Sequence, residues 1–172
     1  MKKRMLLVAA IALVPRAIAA QSPASASASA DVRANVLVPL ALTRSGSTDF
    51  GNFDGSAHVE TIDPVNPGTK STAQFTATGS ASVAIVVSFS ATVPVCVQSG
   101  GCGVASMTFT PNVATSQTNS QSSATAGLAS GTSVPLNTGG SLFFWLGGSL
   151  QVNANQRPGQ YTGTFTLSTA YP

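Results

Sequence analysis

The stretch Ser82-Val83-Ala84-Ile85-Val86-Val87-Ser88-Phe89-Ser90 sets Val83, Ile85, Val87 and Phe89 on one side of an extended chain. The closing stretch repeats the pattern over Gln160–Tyr171, with Tyr161, Gly163, Phe165, Leu167, Thr169 and Tyr171 on one face. A period of two is the mark of a strand with one face in a core. Working outward, further strands are expected over 34–42, 57–62, 72–78, 104–110, 141–146 and 149–153, between Gly, Pro and Asn turns. Helical periodicity is absent, so no helices exist to cover a parallel sheet. The expected fold is all-β, an antiparallel sandwich of about seven to nine strands. Gly147-Gly148 interrupts one apolar run, which predicts a bend or bulge there. Ala114–Thr132, rich in Ser, Thr, Ala and Gln, reads as a long exposed loop or a weak edge hairpin, and its composition favours the loop.

The chain opens on a basic cluster, Met1-Lys2-Lys3-Arg4, followed by an apolar run from Met5 to Val14 and the small-residue stretch Ala17-Ile18-Ala19-Ala20. This is the pattern of a cleavable secretory signal over residues 1–20. The run is too short to span a bilayer, which takes roughly 20 apolar residues. Four of the eight basic residues lie in that segment, whereas Asp31, Asp49, Asp54, Glu60 and Asp63 all follow it. Four cations against five acids leave the expected mature chain at −1 instead of +3. The apparent basicity therefore gives no reason to expect a nucleic-acid partner or membrane insertion after cleavage. The expected location is extracytoplasmic: secreted, periplasmic or on the cell surface.

An oxidising compartment makes Cys96 and Cys102, the only cysteines, a disulfide pair. Ser99-Gly100-Gly101 between them can turn sharply enough for the bond. A loop this short places its stabilisation at or below the usual ~2–4 kcal/mol. The pair is expected to staple a hairpin tip.

Residues 21–33 form an Ala/Ser-rich extension ahead of a domain expected over 34–172. From Ala24 to Leu42 every even position is apolar, including Val32, Ala34, Val36, Val38, Leu40 and Leu42. Extended at ~3.3 Å per residue, this segment runs roughly 60 Å, well beyond one ordinary strand. Its second half can serve as the domain's first strand. Its first half is a tether or a spare strand free to pair elsewhere, and the poor strand propensity of Ala favours the tether.

Residues that could carry chemistry are sparse. His58 and Glu60 share a strand face, an ordinary pairing. No G-x-S-x-G elbow, phosphate loop or dinucleotide fingerprint occurs. Asp49, Asn52 and Asp54 lack calcium-loop spacing, and one histidine cannot build a zinc site. The expectation is no enzyme, no metal and no cofactor. Trp145, in Phe143-Phe144-Trp145-Leu146, is a core residue by type and otherwise the single candidate for an aromatic binding platform.

Val38-Pro39-Leu40-Ala41-Leu42-Thr43, Asp49-Phe50-Gly51-Asn52-Phe53, Gln74-Phe75-Thr76-Ala77-Thr78-Gly79, Gly148-Ser149-Leu150-Gln151-Val152 and Gln156-Arg157-Pro158-Gly159-Gln160-Tyr161-Thr162-Gly163-Thr164-Phe165 stand in an order and spacing that resemble the bacterial domain-of-unknown-function 4402 family. The C-terminus also resembles fimbrial subunits of the chaperone–usher type from Gram-negative bacteria. Tyr171 is the penultimate residue and Gly159 is the fourteenth from the end. That resemblance implies an immunoglobulin- or pilin-like sandwich completed by a neighbour's N-terminal strand. It also implies partners, namely further copies of the chain or a periplasmic chaperone. Ala34, Val36, Val38, Leu40, Gly159, Tyr161 and Tyr171 are then the assembly candidates. The competing expectation is a monomeric ligand- or carbohydrate-binding module.

Overall fold

The structure, a computed structural model, describes residues 25–172. The expected signal and the first four residues of the 21–33 extension lie outside them. Two units are distinguished, one ending at Asn35 and one running Val36–Pro172. In the first, residues 25–35 are exposed and form no strand or helix. Their single ion pair, Arg33 to Asp31 at 3.7 Å, is solvated and so adds little.

The second unit folds as an antiparallel sandwich of ten strands among the described residues. They are β1 (Ala41–Ser45), β2 (His58–Ile62), β3 (Ala73–Thr78), β4 (Ala84–Phe89), β5 (Val93–Val97), β6 (Ser106–Ser116), β7 (Thr132–Pro135), β8 (Ser141–Val152), β9 (Tyr161–Thr162) and β10 (Leu167–Ala170). One sheet runs β1-β3-β8-β6-β5-β9, with β2 also paired to β8; the other runs β10-β4-β7. The alternation that predicts strands also fills the core. Ala73, Phe75 and Ala77 of β3 are buried while Gln74 and Thr76 are not, and in β4 Ile85 and Val87 are fully buried. Phe144, Leu142, Val113 and Val152 complete the centre.

Four expectations need correction. The strand expected over 34–42 begins only at Ala41, because residues before it find no sheet edge: Val36 is 96% exposed. The runs 141–146 and 149–153 form one strand, not two. β8 keeps an unbroken register with β6 from Thr108↔Gln151 to Ser116↔Phe143. On its other edge β8 changes partner at Gly147, from β3 (Ala73↔Leu146) to β2 (Ile62↔Gly148). The glycines therefore mark close backbone approach and not a bulge: a Cβ on Gly147 would stand 2.5 Å from the Ile62 carbonyl oxygen.

The C-terminal alternation survives but its ladder does not. Leu167 is buried and Tyr161, Phe165, Thr169 and Tyr171 are half-buried, yet β9 pairs with β5 in one sheet and β10 with β4 in the other. The chain crosses between sheets at 163–166, as its neighbour does between β4 and β5. Finally, Ala114–Thr132 is not a loose loop. It completes β6, makes a single 3-10 turn at Gln121–Ser123 and bridges Thr115 to Thr125. Side-chain amides hold it as well as the packing of Leu128 on the core: Gln121 donates to the Pro64 carbonyl and the Thr72 hydroxyl, both at 2.8 Å.

Cys96 and Cys102 are bonded across the β5–β6 turn, with Cα atoms 4.6 Å apart. The staple sits at a hairpin tip, where the spacing of the sequence puts it.

Candidate functional site

Seven strands face three, so the second sheet is too narrow to cover the first. Leu42 and Arg44 of β1 stand opposite Ala77 and Phe75 in register and therefore share their inward side. Ala77 is fully buried, but Arg44 is exposed. A solvated guanidinium on an inward position marks where the sandwich is open.

There a cleft of about 1160 Å³ runs along the inner face of the wide sheet. Its floor is Ala73 and Phe75 of β3, Val93 and Val95 of β5, Met107 and Phe109 of β6, and Leu146 and Leu150 of β8. No residue of β4, β7 or β10 lines it. Segments 47–55 and 156–160 and the crossover at 163–165 roof it instead, beside Tyr161 and Thr162 of the edge strand β9. The arrangement offers an apolar floor together with a polar lining that includes Arg44, Asp49, Asp54 and Arg157.

Side-chain bonds shape the roof. Phe50 sets its edge on Phe109, with centroids 5.7 Å apart. Phe53 meets His58 in the same way, at 5.7 Å. His58 Nδ1 faces the Ser56 carbonyl at 2.7 Å, and its Nε2 lies 3.2 Å from Glu60 Oε1. Glu60 also takes the Lys70 ammonium, which stands 5.9 Å from the centre of the Phe50 ring. The carboxylates of Asp49 and Asp54 accept the N–H groups of Gly51 and Ser56, so they close local turns. Among the described residues no three His, Cys, Asp or Glu side chains converge as metal ligands.

Two carboxyls are held below their usual range. Ser56 does this to Asp54, through its hydroxyl first and its backbone N–H second. The Lys70 hydrogen bond does it to Glu60. For Glu60 a depressed folded value means that its stabilisation is present above the ordinary ~4.5 and is lost as pH falls through the folded value. Lys70→Met should therefore lower stability by about 0.5–1 kcal/mol at neutral pH, since the pair is partly solvated. Urea midpoints of variant and parent should draw together on acidification to pH 3; a constant difference would mean that the Lys70 bond to the Thr61 carbonyl, at 3.0 Å, matters more than its pairing with Glu60.

The assembly candidates fall in separate places. Ala34 and Val36 lie on exposed chain that is neither strand nor helix. Val38 and Tyr171 meet: the tyrosine hydroxyl donates to the Val38 carbonyl at 2.8 Å and accepts the Ser80 N–H at 2.7 Å. Leu40, shortly after Val38 in the chain, packs against the core. Gly159 and Tyr161 line the cleft. The Tyr161 hydroxyl donates to the Arg157 carbonyl at 2.7 Å and accepts the Gln156 amide at 2.8 Å, which shapes that half of the roof.

Trp145 is 4% exposed and provides no platform. It shares a sheet face with Gln74 and Ala114, its register partners, and Gln74 donates to Asn119 of the tied-down 117–125 segment. The roof phenylalanines lie in the Asp49–Phe53 stretch that carries the family resemblance, which assigns them no role in a site. Two aromatics inside a turn-rich Asp-Phe-Gly-Asn-Phe-Asp-Gly run were the available signal.

A family model described as domain of unknown function (DUF4402) matches residues 38–171. Its limits coincide with Val38 and Tyr171, the two residues joined by the tyrosine hydroxyl. No curated protein matches the chain.

Proposed function

We propose, taking as premise that the chain belongs to the DUF4402 family, that it is an exported, non-catalytic structural protein of the cell surface whose copies join by β-strand donation. The observation that carries this reading is a cleft of about 1160 Å³ along the inner face of the wide sheet, covered by irregular chain instead of strands of the opposite sheet. The occupant is the N-terminal extension of another copy. Val32 and Val36 are each 96% exposed and Val38 is 57% exposed. All three occupy even positions, so one side of an extended strand presents them together. Burying a valine is worth about 1.5 kcal/mol or more, and an added strand gains main-chain hydrogen bonds besides. The N-terminal signal pattern and the pilin-like closing strand point the same way. A periplasmic chaperone is the natural partner before assembly.

Deleting residues 21–33 should abolish an SDS-resistant, heat-labile ladder of oligomers formed by the purified mature protein. A full-length protein that stays monomeric at high concentration would sink strand donation. The cleft, somewhat larger than the roughly 300–1,000 Å³ of small-molecule sites, leaves room for a second reading, a monomeric ligand-binding module. An environment-sensitive acyl dye bound by the monomer, and released by no extension peptide, would select it.

A further inference from the structure

The cleft of the lone subunit is roofed by its own chain, and the manner of attachment matters. Within 47–55 the only bulky apolar side chains are Phe50 and Phe53, and both lie against the hydrophobic core. One end of the segment is firmly tied. Thr48 donates to the Leu146 carbonyl at 2.9 Å and accepts the Ala73 N–H at 3.1 Å, and Asp49 bridges to Ser71. At the other end a single backbone bond, Gln156 N–H to the Gly55 carbonyl at 3.3 Å, joins the two halves of the roof. Between these ends, among the described residues, the backbone of 50–54 bonds to no strand of the sandwich. Ring contacts hold it down: Phe50 on Phe109 and beneath the Lys70 ammonium, and Phe53 on His58.

We infer that residues 50–55 are a displaceable plug: Phe50 and Phe53 close over part of the cleft of the unassembled subunit, and an incoming strand takes their place as the roof parts at Gly55–Gln156. This rests on the strand-donation reading and adds its control. The plug shields floor residues such as Met107 and Phe109, only 2% and 5% exposed, from water and from nonspecific partners. A donor must displace two rings, so a short or poorly matched strand gains too little to enter. Assembly is slowed, and selectivity rises, because entry requires several apolar side chains in the correct alternation.

The test uses the full mature chain and the rate at which SDS-resistant oligomers appear after dilution to assembly conditions. Phe50→Ala combined with Phe53→Ala should assemble at least tenfold faster than the parent. A rate equal to or below the parent's would overturn the inference, since the rings would then be idle or part of the acceptor wall. Trp145 fluorescence reports whether this variant folds. If it does not, a second variant decides. Asn52→Cys with Arg157→Cys places exposed thiols on the two halves of the roof. Clamping them with a short flexible bismaleimide should slow assembly at least tenfold relative to the unclamped variant. An unchanged rate overturns the plug. If the parent assembles and neither variant departs from it, only the plug falls. If the parent itself never assembles, strand donation falls and the plug with it.

Discussion

Gly148→Ala should destabilise the domain by about 3 kcal/mol or more. Two effects add at that position. Gly148 has φ near +140°, a region that L-residues occupy only under strain, worth about 1–3 kcal/mol. A Cβ there would also collide with the Thr110 carbonyl oxygen and stand 2.8 Å from the Phe109 ring. Neither neighbour can retreat cheaply, because Thr110 and Phe109 are paired to β8 through the same ladder that fixes Gly148. Domains of this size have total stabilities of about 5–15 kcal/mol, so the variant should melt markedly lower or fail to fold. Thermal unfolding followed by Trp145 fluorescence provides the measurement; a melting temperature within two degrees of the parent would contradict the account.

Phe144→Ala is expected to cost as much or more, about 3–5 kcal/mol. Phe144 is 0% exposed, lies in β8 between Phe75 of β3 and Thr115 of β6, and belongs to the core cluster joining both sheets. Truncation removes transfer free energy and leaves a cavity that flanking β-strands, held by ladders on both sides, cannot close. Phe143→Ala provides the contrast, because Phe143 is half-buried on the opposite face. Its cost should be less than half as large. Urea unfolding of the two variants side by side would separate core packing from mere loss of an aromatic ring.

Much of the sandwich is legible residue by residue. Alternation places Phe75, Ile85, Val87 and Leu167 on the inner side, and Ser-Gly-Gly between two cysteines places the staple. What eludes local reading has identifiable causes. β5 carries Pro94, which removes a ladder donor and argues against a strand. β7 consists of Thr132-Ser133-Val134-Pro135, too polar and short to stand out. The division of the C-terminal alternation between two sheets is invisible because side-chain parity is unchanged across residues 163–166. The cleft is harder still. Alternation tells which side of a strand faces inward, but not whether another strand lies opposite. That depends on how many strands each sheet recruits from distant sequence. One local clue exists: the even-numbered apolar series that reaches Leu42 is broken by Arg44, a charge on an inward position that is tolerated because nothing covers it.

The ladder of β8 has a consequence for when the molecule can take shape. β2 near residue 60 waits for Gly148–Val152, and β4 waits for Leu167–Ala170. Pairings across such separations carry a loop-closure cost and slow the search for the native state. The wide sheet is not complete before β9 at Tyr161–Thr162, nor the narrow one before β10 at Leu167–Ala170, so the growing chain has no finished pair of sheets in which to settle early. A polypeptide meant to be threaded through a membrane channel before it folds gains from that delay. For a chain exported as proposed, the order of the strands, as much as any signal, would keep it pliable until those late strands had arrived on the far side.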